Sequence, residues 1–380
     1  MAGTDFDIAI SGAGPVGMSL GLMLAARGLR PDRIALVDAK TVDQVRSDPR
    51  SIALSYGSRQ ILEDIGCWPV PSDPIHQIHV SRRGQFGRTL IDRDDYQVEA
   101  LGYVARYGML ASVLAGATER CGIVSLRPSL ASSAQEREDE VELRFADGTS
   151  ITAGILVQAE GGVFTDQDAR AQRRDYGQTA LIATVTMSAP VPHRAYERFT
   201  DEGPLAMLPQ DDGYAMVWCV RPDTASRLQT LPDSDFIPAL ERAFGGRLGS
   251  VIAVTPRVAF PLGLNAHEAL TRRMVAIGNA AQTLHPVAGQ GLNLGLRDAA
   301  VLARLLASDA TPDKLARYAA ARRDDRGMTI SLTDTMARIF ASGPAGSPSQ
   351  AALGLSLALL DSFKPAQRLL ADHMMFGRRT

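Results

Sequence analysis

Three glycines and an aspartate near the N-terminus have the residue types and the spacing of a dinucleotide-binding turn. Gly12, Gly14 and Gly17 form a G-x-G-x-x-G pattern, and Asp38 follows about 20 residues later. The first glycine allows a tight turn, the second lets the backbone approach a pyrophosphate, and the third permits close packing of a helix on a strand. The aspartate is suited to accept hydrogen bonds from a ribose hydroxyl.

The elements that must position these residues are predicted on both sides of the turn. The apolar run Asp7–Ser11 is typical of a buried parallel strand, and a helix is predicted over Met18–Arg27, with Gly28 in a C-cap position. A second buried strand, Arg33–Val37, ends directly before the aspartate. Strand, glycine turn, helix, strand and terminal acid together indicate dinucleotide binding far more strongly than the glycines alone.

A second glycine-rich stretch lies near position 290. The short apolar run Val275–Ile277 predicts a strand, and a helix is predicted over Leu292–Leu306. The loop between them contains Gly289 and Gly291, so its backbone N–H groups could face an anionic ligand at the positive end of the helix. An ordinary left-handed turn before a helix is the alternative interpretation.

One arginine has a position that leaves its role open. Asp48-Pro49 predicts a turn, and Arg50 follows it directly. On local grounds this arginine is either a solvated charge or a contact for an anion.

The composition is that of a large globular protein. The chain has 380 residues, of which 45% are apolar and 22% charged, with a formal net charge of −2. This length suffices for two domains, which are free to interleave along the chain. The near-neutral charge and the lack of a basic tract argue against a nucleic-acid partner. Three widely separated cysteines have no metal-ligand spacing, so we expect neither a metal site nor a disulfide framework.

The sequence predicts a cytoplasmic protein. No secretory signal is recognisable before the first strand, and no apolar run approaches the roughly 20 residues that a membrane span needs. Two terminal helices, Ala351–Leu360 and Ala366–Met375, have two interpretations. They either contact a partner or the inner face of the membrane peripherally, or they dock on the rest of the protein.

The middle of the chain is predicted to be mostly β. A hairpin with Gly84 at its turn is expected over Ile75–Asp92, and a helix over Phe236–Phe244. The other predicted strands are Ser150–Ala153, Ile155–Ala159, Ala180–Met187, Ala195–Phe199, Leu205–Leu208 and Tyr214–Val220. Towards the C-terminus two helices are predicted, Leu315–Arg326 and Thr329–Phe340.

These motifs resemble those of the FAD-dependent aromatic hydroxylases of the para-hydroxybenzoate hydroxylase fold. Within that family they are most similar to the ubiquinone-biosynthesis branch, especially the 2-polyprenyl-6-methoxyphenol hydroxylases. The likeness covers nearly the whole chain. It rests on Gly12–Gly17, Arg50–Ser55, Asp175–Leu181, Ala195–Thr200, Gly278–Asp298 and Met374–Gly377.

The resemblance implies an α/β fold with three parts. They are a Rossmann-like FAD-binding domain of the glutathione-reductase type, an inserted and mostly antiparallel β substrate domain, and a C-terminal helical segment. The implied FAD-binding domain is discontinuous and comprises residues 1–74, 98–178 and 257–328. Residues 75–97 and 179–256 would form the substrate domain, and residues 329–380 the C-terminal helical region.

The resemblance also assigns roles around FAD. Gly12, Gly14 and Gly17 would hold the pyrophosphate, Asp38 would hold the adenosine ribose, and Arg50 would reach the flavin side. The other implied cofactor contacts are Glu160, Gly161, Asn279, Gly289, Gly291, Leu292 and Asn293. The residues implied to lie nearest the reacting ring, as catalytic candidates, are His285, Pro286 and Gln290, with a structural role as the alternative for the histidine.

Three positions depart from the family pattern. Asn279 stands where the wider family has an aspartate bonded to the ribityl chain, so that contact would carry one charge fewer. The family's Asp-Gly motif, which contacts FAD and nicotinamide, is Glu160-Gly161 in this chain. The glutamate side chain is one methylene longer than aspartate, which would alter the contact with the reductant. The arginine usually found before the helix near Leu110 has only Arg106 as a candidate.

The implied reaction is monooxygenation of a polyprenyl phenol in ubiquinone biosynthesis. NAD(P)H would reduce FAD after transient binding, since the chain has no second G-x-G-x-x-G, and one atom of O₂ would enter the ring. One alternative is another aromatic substrate or ring position, with Arg194, Arg198 and Arg221 as contacts for a carboxylate. The other is a non-catalytic flavin-binding subunit of a biosynthetic complex. Membership of such a complex and homo-oligomer formation stay open at this point.

Overall fold

The structure, a computed structural model, describes residues 4–83, 88–160, 172–266, 270–283, 289–307 and 311–341, together with Asp372, Met375 and Phe376. The helices are α1 Pro15–Ala26, α2 Val42–Arg46, α3 Tyr56–Asp64, α4 Tyr107–Cys121, α5 Pro222–Thr230, α6 Asp233–Phe244, α7 Gln290–Leu306 and α8 Pro312–Ala341. The first eleven strands are β1 Phe6–Ser11, β2 Ile34–Val37, β3 Ser51–Ser55, β4 Ser72–Ile75, β5 Gln77–Arg82, β6 Arg88–Asp92, β7 Gly102–Arg106, β8 Val124–Leu126, β9 Ala131–Glu136, β10 Val141–Phe145 and β11 Ser150–Gln158. The remaining strands are β12 Gln172–Met187, β13 Arg194–Phe199, β14 Pro204–Gln210, β15 Gly213–Val220, β16 Val251–Val254, β17 Val258–Ala266, β18 Met274–Ala276 and β19 Gln282–Thr283.

The N-terminal strand β1 lies inside a seven-stranded sheet. The strand order is β8-β2-β1-β11-β10-β9, and β18 also pairs with β11. The pairs formed by β8, β2, β1, β11 and β18 are parallel, whereas β10 and β9 join antiparallel. The two strands predicted on either side of Gly154 are one continuous strand, β11. The strand continues through this glycine because β11 pairs with β1 on one side and with β10 on the other.

Alternation along β1 divides the core of this sheet into two layers. Ile8 and Ile10 join the larger hydrophobic core with residues of α1, α4 and α7. Ala9, on the opposite face, packs with residues of β9 and β10. All three side chains are fully buried. A parallel sheet with helices on one face and antiparallel strands on the other confirms the predicted α/β class.

The second sheet has nine strands and is mostly antiparallel, as predicted. Its order is β19-β17-β12-β15-β14-β13-β5-β6, with β16 also beside β12, and the β13–β5 pair is parallel. Helices α5 and α6 pack on one face, where Leu228, Phe236 and Leu240 are buried. Of these two helices the sequence predicted α6 alone.

A small antiparallel sheet, in the order β3-β7-β4, lies between the two larger ones. Ile75 and Val104 from this sheet pack against Ala195 of the nine-stranded sheet. We propose the predicted division of the chain into two interleaved domains and a helical region, with the nine-stranded sheet as the core of the inserted domain. Strand β12 crosses the predicted boundary at position 178.

The two helices predicted after position 314 are one helix, α8. Gly327 lies inside it, and one glycine costs a helix about 1 kcal/mol relative to alanine, which packing elsewhere can offset. Ion pairs hold α8 against α7: Arg322 Nε lies 2.7 Å and Arg326 Nη2 lies 2.9 Å from the buried carboxylate of Asp298. These contacts stabilise α8 as a unit despite the glycine.

Candidate active site

The two predicted glycine-rich turns contact each other. A Cβ at Gly278 would lie 3.4 Å from Cγ1 of Val16, and a Cβ at Gly295 would lie 2.7 Å from Cγ2 of the same valine. Helices α1 and α7 each begin at a glycine without a side-chain cap, Gly14 and Gly289. Helices α1 and α7 therefore pack together at Val16, and each has unbonded N–H groups at its N-terminus that suit an anionic group of a ligand.

The first turn requires glycine at two positions and leaves space at a third. Gly12 has a φ of +104°, and a Cβ there would lie 2.5 Å from the Ala159 carbonyl carbon. A Cβ at Gly17 would lie 2.0 Å from the carbonyl oxygen of Gly12. Gly14 has an ordinary φ of −78°, and among the described residues a Cβ there would meet the Tyr107 hydroxyl at 3.2 Å and nothing closer. The space beside Gly14 is thus available for a ligand.

Asp38 lies beside this turn with its carboxylate held in place. It accepts hydrogen bonds from the backbone N–H groups of Ala13 and Lys40, both at 2.9 Å. Arg127 Nη2 lies 3.5 Å from the same carboxylate and also donates to the Ala13 carbonyl oxygen. Burial lowers the pKa of Arg127, while Asp38 acts in the opposite direction. The Arg127 Nε is buried and has no partner among the described residues.

Sequence reasoning missed Arg127 and Tyr107. Arg127 directly follows β8, and the carboxyl ends of parallel strands meet at one edge of a sheet, so its position after that strand is the signal that could have found it. Tyr107 is the first residue of α4 and reaches Gly14. Arg106, the residue that the resemblance singled out before this helix, pairs instead with Asp211 of the inserted domain.

Arg50 stands where the two larger sheets face each other. Its Nη2 lies 2.7 Å from Oδ2 of Asp48, and this hydrogen bond raises the pKa of Arg50. The guanidinium lies 4.8 Å from the centroid of the Tyr107 ring and 5.9 Å from that of Phe260 in β17. The side chain is still 44% exposed, so a cationic group is available to a ligand there.

Asn293 holds the second turn in shape. Its Oδ1 accepts hydrogen bonds from the Ser55 N–H at 2.8 Å and from the Ser58 hydroxyl at 2.7 Å. Its Nδ2 donates to the carbonyl oxygens of Ala53 at 3.0 Å and Gly289 at 2.8 Å. All four hydrogen-bonding positions of the amide are used by protein groups. We therefore propose that this side chain positions the turn for the cofactor.

The other predicted residues of the second turn lie at the start of α7. Gly289 has a φ of +59°, which favours glycine. A Cβ at Gly291 would lie 3.6 Å from Oδ1 of the exposed Asn279, so these two residues are neighbours. Gln290 is buried and Leu292 is half-buried at the first turn of the helix.

Glu160 lies beside the first turn, at the end of β11. The Ser11 hydroxyl donates a hydrogen bond to its Oε1. Burial raises the pKa of Glu160, the bond from Ser11 lowers it, and the charge of Asp38 raises it further. The glutamate that replaces the family's aspartate is therefore fixed near the carboxylate of Asp38 by β1.

Three predicted site residues, Gly161, His285 and Pro286, lie outside the described residues, and their roles stay predictions. Within the described part of the chain no three His, Cys, Asp or Glu side chains are grouped as metal ligands would be. Helices long and apolar enough to span a membrane are likewise absent from that part.

One face of the nine-stranded sheet, named the front face, looks toward the small sheet and Arg50. Ala195 and Leu208 on this face pack in the cluster formed with the small sheet. Gln210 Oε1 accepts a hydrogen bond from the Ser51 hydroxyl at 2.9 Å, and Phe260 approaches Arg50. The opposite face is covered by α5 and α6.

A line of side chains, named the front row, crosses the middle of this face. Its members lie directly opposite one another on consecutive strands: Val80, Glu197, Ala206, Val217, Ile182 and Val258. None of the six is fully buried, although Ala180 and Cys219 in the adjacent row are. Five strand spacings of about 4.8 Å make the row about 24 Å long. We infer that it lines a groove between the two sheets, apolar except for Glu197.

These features fit an FAD. The N-terminus of α1 suits the pyrophosphate, and a fixed carboxylate suits a ribose. The buried Nε of Arg127 has no partner among the described residues, and a ligand could supply one.

Comparison with known proteins agrees with this geometry. The family model described as FAD binding domain matches residues 5–330. The ubiquinone hydroxylase UbiL of Rhodospirillum rubrum is 32% identical, over 97% of this chain and 89% of its own length. The 3-demethoxyubiquinol 3-hydroxylase of Escherichia coli is 30% identical, over 79% of each chain.

Solved structures show the same fold. The p-nitrophenol 4-monooxygenase PnpA of Pseudomonas putida superposes with a TM-score of 0.78 over the full length of both chains, at 16% identity. The OxyS anhydrotetracycline hydroxylase of Streptomyces rimosus has a TM-score of 0.71, over 97% of this chain and 75% of its own, at 20% identity. The matching family model and the relatives at 30% identity or more together show that this chain belongs to the FAD-binding domain family, among its FAD-dependent aromatic hydroxylases.

Proposed function

We propose that this protein hydroxylates the aromatic ring of a polyprenyl phenol in ubiquinone biosynthesis, with FAD as cofactor and NAD(P)H and O₂ as co-substrates. The observation that carries the proposal is the front row, a line of partly exposed side chains about 24 Å long that is apolar except for Glu197 and lies on the face turned toward the small sheet and Arg50. A polyprenyl tail needs an apolar path of this kind. The names of the two relatives, a ubiquinone hydroxylase and a 3-demethoxyubiquinol 3-hydroxylase, support the same substrate class.

The positions of three arginines argue against a carboxylated aromatic substrate. Arg194 and Arg198 alternate with Ala195 and therefore lie on the face covered by α6. Arg194 Nε donates to Gln77, and Arg198 Nε donates to a carbonyl oxygen of α6. Arg221 stands at the N-terminus of α5, away from the front face. The three do not form a common carboxylate site.

The chain's own residues would bind FAD and exclude water from the reaction. Gly12, Gly14 and Gly17 would take the pyrophosphate, and Asp38 the adenosine ribose. The second turn would contact the flavin through Asn279, Gly289, Gln290, Gly291, Leu292 and Asn293, with Glu160 and Arg50 from the other side. When bound, FAD supplies the redox chemistry: it accepts two electrons from NAD(P)H and delivers one atom of O₂ to the ring. The front row orients the phenol and excludes water.

Arg50 is predicted to matter for the flavin more than for folding. Arg50→Ala should lower the reduction potential of bound FAD or weaken FAD binding about tenfold, because a cation near the flavin stabilises added negative charge. Exposed ion pairs contribute about 0–1 kcal/mol, so the melting temperature of the FAD-free protein should barely change. Potentiometry and FAD titration measure both effects. Arg50→Lys, which keeps the charge, is the matched control, and an alanine variant with unaltered potential and affinity would argue against this role.

Turnover separates a hydroxylase from a silent flavoprotein. Addition of a short-tailed 2-alkyl-6-methoxyphenol to the holoenzyme should accelerate NAD(P)H oxidation, and mass spectrometry should find one ¹⁸O atom from ¹⁸O₂ in the product. 4-Hydroxybenzoate, a carboxylated probe, should have little effect. If Glu160 impairs reduction, dithionite-reduced enzyme should still hydroxylate once. A protein that binds both FAD and the phenol but yields no product by either route would be a flavin-binding subunit instead.

Peripheral membrane contact, a biosynthetic complex and homo-oligomer formation stay predictions. Of the two terminal helices that suggested such contacts, the structure describes Asp372 and Met375. Met375 is 4% exposed in a cluster with Ile91 and Leu101, and the neighbouring Phe376 ring lies edge-on to Tyr56 with centroids 5.9 Å apart. For Met375 and Phe376, these contacts support the interpretation that the terminal helices dock on the rest of the protein.

A further inference from the structure

Glu197 is the single charged member of the front row. It lies on β13, directly opposite Val80 of β5 and Ala206 of β14. Two further rows of side chains flank the front row on the same face, and both contact the FAD-binding part of the protein. Phe260 in one of these rows approaches Arg50, and Ala195 in the other packs on the small sheet. A carboxyl group in this position points into the groove where we place the phenol.

The surroundings of Glu197 are apolar. Burial raises the pKa of Glu197 to about 7, and no cation or hydrogen-bond donor among the described residues lowers it. Strands β5 and β14 pair with β13, and β15 follows β14. On the front face of these three strands the titratable groups are Arg82 on β5 and Cys219 on β15. Arg82 is buried, and its charge interacts favourably with that of Asp201. Burial raises the pKa of the Cys219 thiol, and the charge of Glu197 raises it further. Arg50, which approaches Phe260 on β17, four strands away from β13, is already paired with Asp48.

We propose that Glu197 is the base that accepts the proton of the substrate's phenol hydroxyl, an inference that rests on the proposed phenol hydroxylation. The phenol O–H bond breaks, the proton moves to a carboxylate oxygen of Glu197, and the bonding electron pair stays on the phenol oxygen. The ring carbon then takes one oxygen atom of O₂, while the second leaves as water with electrons from NAD(P)H. The ring carbon loses its hydrogen as a proton, and Glu197 returns its proton to the product oxygen.

The chemistry requires such a group. A phenolate donates more electron density to its ring than a phenol, so proton removal favours attack on an electrophilic oxygen. A base works best when its pKa lies close to the working pH, and Glu197 meets this condition where an ordinary glutamate does not. None of the other front-row side chains can take a proton.

Single-turnover hydroxylation in the holoenzyme tests the proposal. Glu197→Gln should lower the hydroxylation rate about 10²-fold or more, with KM for the short-tailed methoxyphenol within about threefold of wild type. The wild-type rate should rise with pH through about 7, as the carboxylate forms, and the residual rate of Glu197→Gln should lack this rise. Glu197→Asp should recover part of the rate. Glu202→Gln is the matched control, since Glu202 contacts Arg221 and Thr224 at the start of α5 and not the groove.

Infrared difference spectroscopy gives a readout that does not depend on turnover. Addition of the methoxyphenol to oxidised wild-type holoenzyme near pH 6 should shift a carboxylic acid C=O band, and this shift should be missing in Glu197→Gln and retained in Glu202→Gln. FAD content and melting temperature should be the same in all of these proteins, which separates a chemical role from a structural one.

The outcomes distinguish the inference from the proposed function. If wild type hydroxylates the phenol and Glu197→Gln does so at a similar rate and with the same pH profile, Glu197 is not the base and the hydroxylase assignment stands. If the infrared shift persists in Glu197→Gln, another carboxyl group contacts the phenol, and the inference fails likewise. If wild type forms no product, the proposed function itself is wrong.

Discussion

Replacement of Gly14 by valine is expected to give a folded but colourless protein. Gly14 has a φ of −78°, which valine adopts easily, and its nearest obstacle among the described residues is the Tyr107 hydroxyl, 3.2 Å from the position of a Cβ. The methyl groups would occupy the space through which the backbone approaches the FAD pyrophosphate. We expect FAD affinity to fall roughly 10²-fold or more, a loss of about 2.7 kcal/mol.

The neighbouring glycines make this test specific. Gly17→Ala should disturb the fold itself, because its Cβ would lie 2.0 Å from the Gly12 carbonyl oxygen. Gly246→Val is the matched control: no heavy atom lies within 4 Å of a Cβ there among the described residues, so the protein should stay yellow. Visible absorbance of the purified protein and FAD titration of the FAD-free form measure the effect. Stoichiometric FAD in Gly14→Val would overturn the assignment of this turn.

Asp298→Asn is expected to have the largest effect on stability. The fully buried carboxylate pairs with Arg322 and Arg326 of α8 and accepts hydrogen bonds from the Gly278 N–H at 3.0 Å and from Gln282 Nε2 at 3.1 Å. Its loss would remove the buried negative charge that both guanidinium groups share, although Arg322 keeps its ion pair with Asp325, so the cost should be about 3 kcal/mol. The same substitution weakens the link to Gly278, so FAD affinity should fall as well. Urea unfolding and FAD titration measure the two losses.

The difference in unfolding free energy between wild type and Asp298→Asn depends on pH, and the sign of this dependence is defined. Burial acts to raise the pKa of Asp298, but the charges of Arg326 and Arg322 overcome it, so the pKa lies below its usual 3.8. A carboxylate with a lowered pKa stabilises the fold above its unfolded-state pKa and loses that contribution as the pH falls through the folded one. The difference in unfolding free energy between wild type and Asp298→Asn should therefore be constant above about pH 5 and should decrease below about pH 4. Asp313→Asn, at the exposed start of α8, is the control, and a similar loss of stability in it would contradict this account.

The first glycine turn could be predicted from the sequence because its requirements are local. The strand, the turn and the helix after it lie within 38 consecutive residues. The requirement for glycine at Gly17 comes from Gly12 in the same turn, and that at Gly12 comes from Ala159 after the adjacent strand. The strand alternation and the antiparallel insert were predictable for the same reason, since hydrophobic periodicity is a short-range signal. The whole-chain resemblance extended this to the fold class and to FAD.

Element boundaries at isolated glycines were predicted less well. Separate strands were predicted on either side of Gly154 and separate helices on either side of Gly327, yet β11 and α8 continue through these glycines. Local propensity disfavours glycine in a strand or a helix by at most about 1 kcal/mol. Strand pairing on both sides of β11, and the ion pairs of Arg322 and Arg326 with Asp298, outweigh that preference, and neither is visible in a local window of sequence.

The sequence alone determined which residues are proposed to bind the dinucleotide, whereas the tertiary structure decided which other side chains lie beside them. Tyr107 and Arg127 reach the first turn from α4 and from the end of β8, about 70 and 90 residues farther along the chain than Asp38. Glu197 lies in the front row and Arg198 does not, because alternate residues of a strand point to opposite faces of the sheet. Which of the two faces is open is established only by the packing of α5 and α6 on the other one. Such convergence depends on strand order and sheet packing, which short-range patterns do not encode.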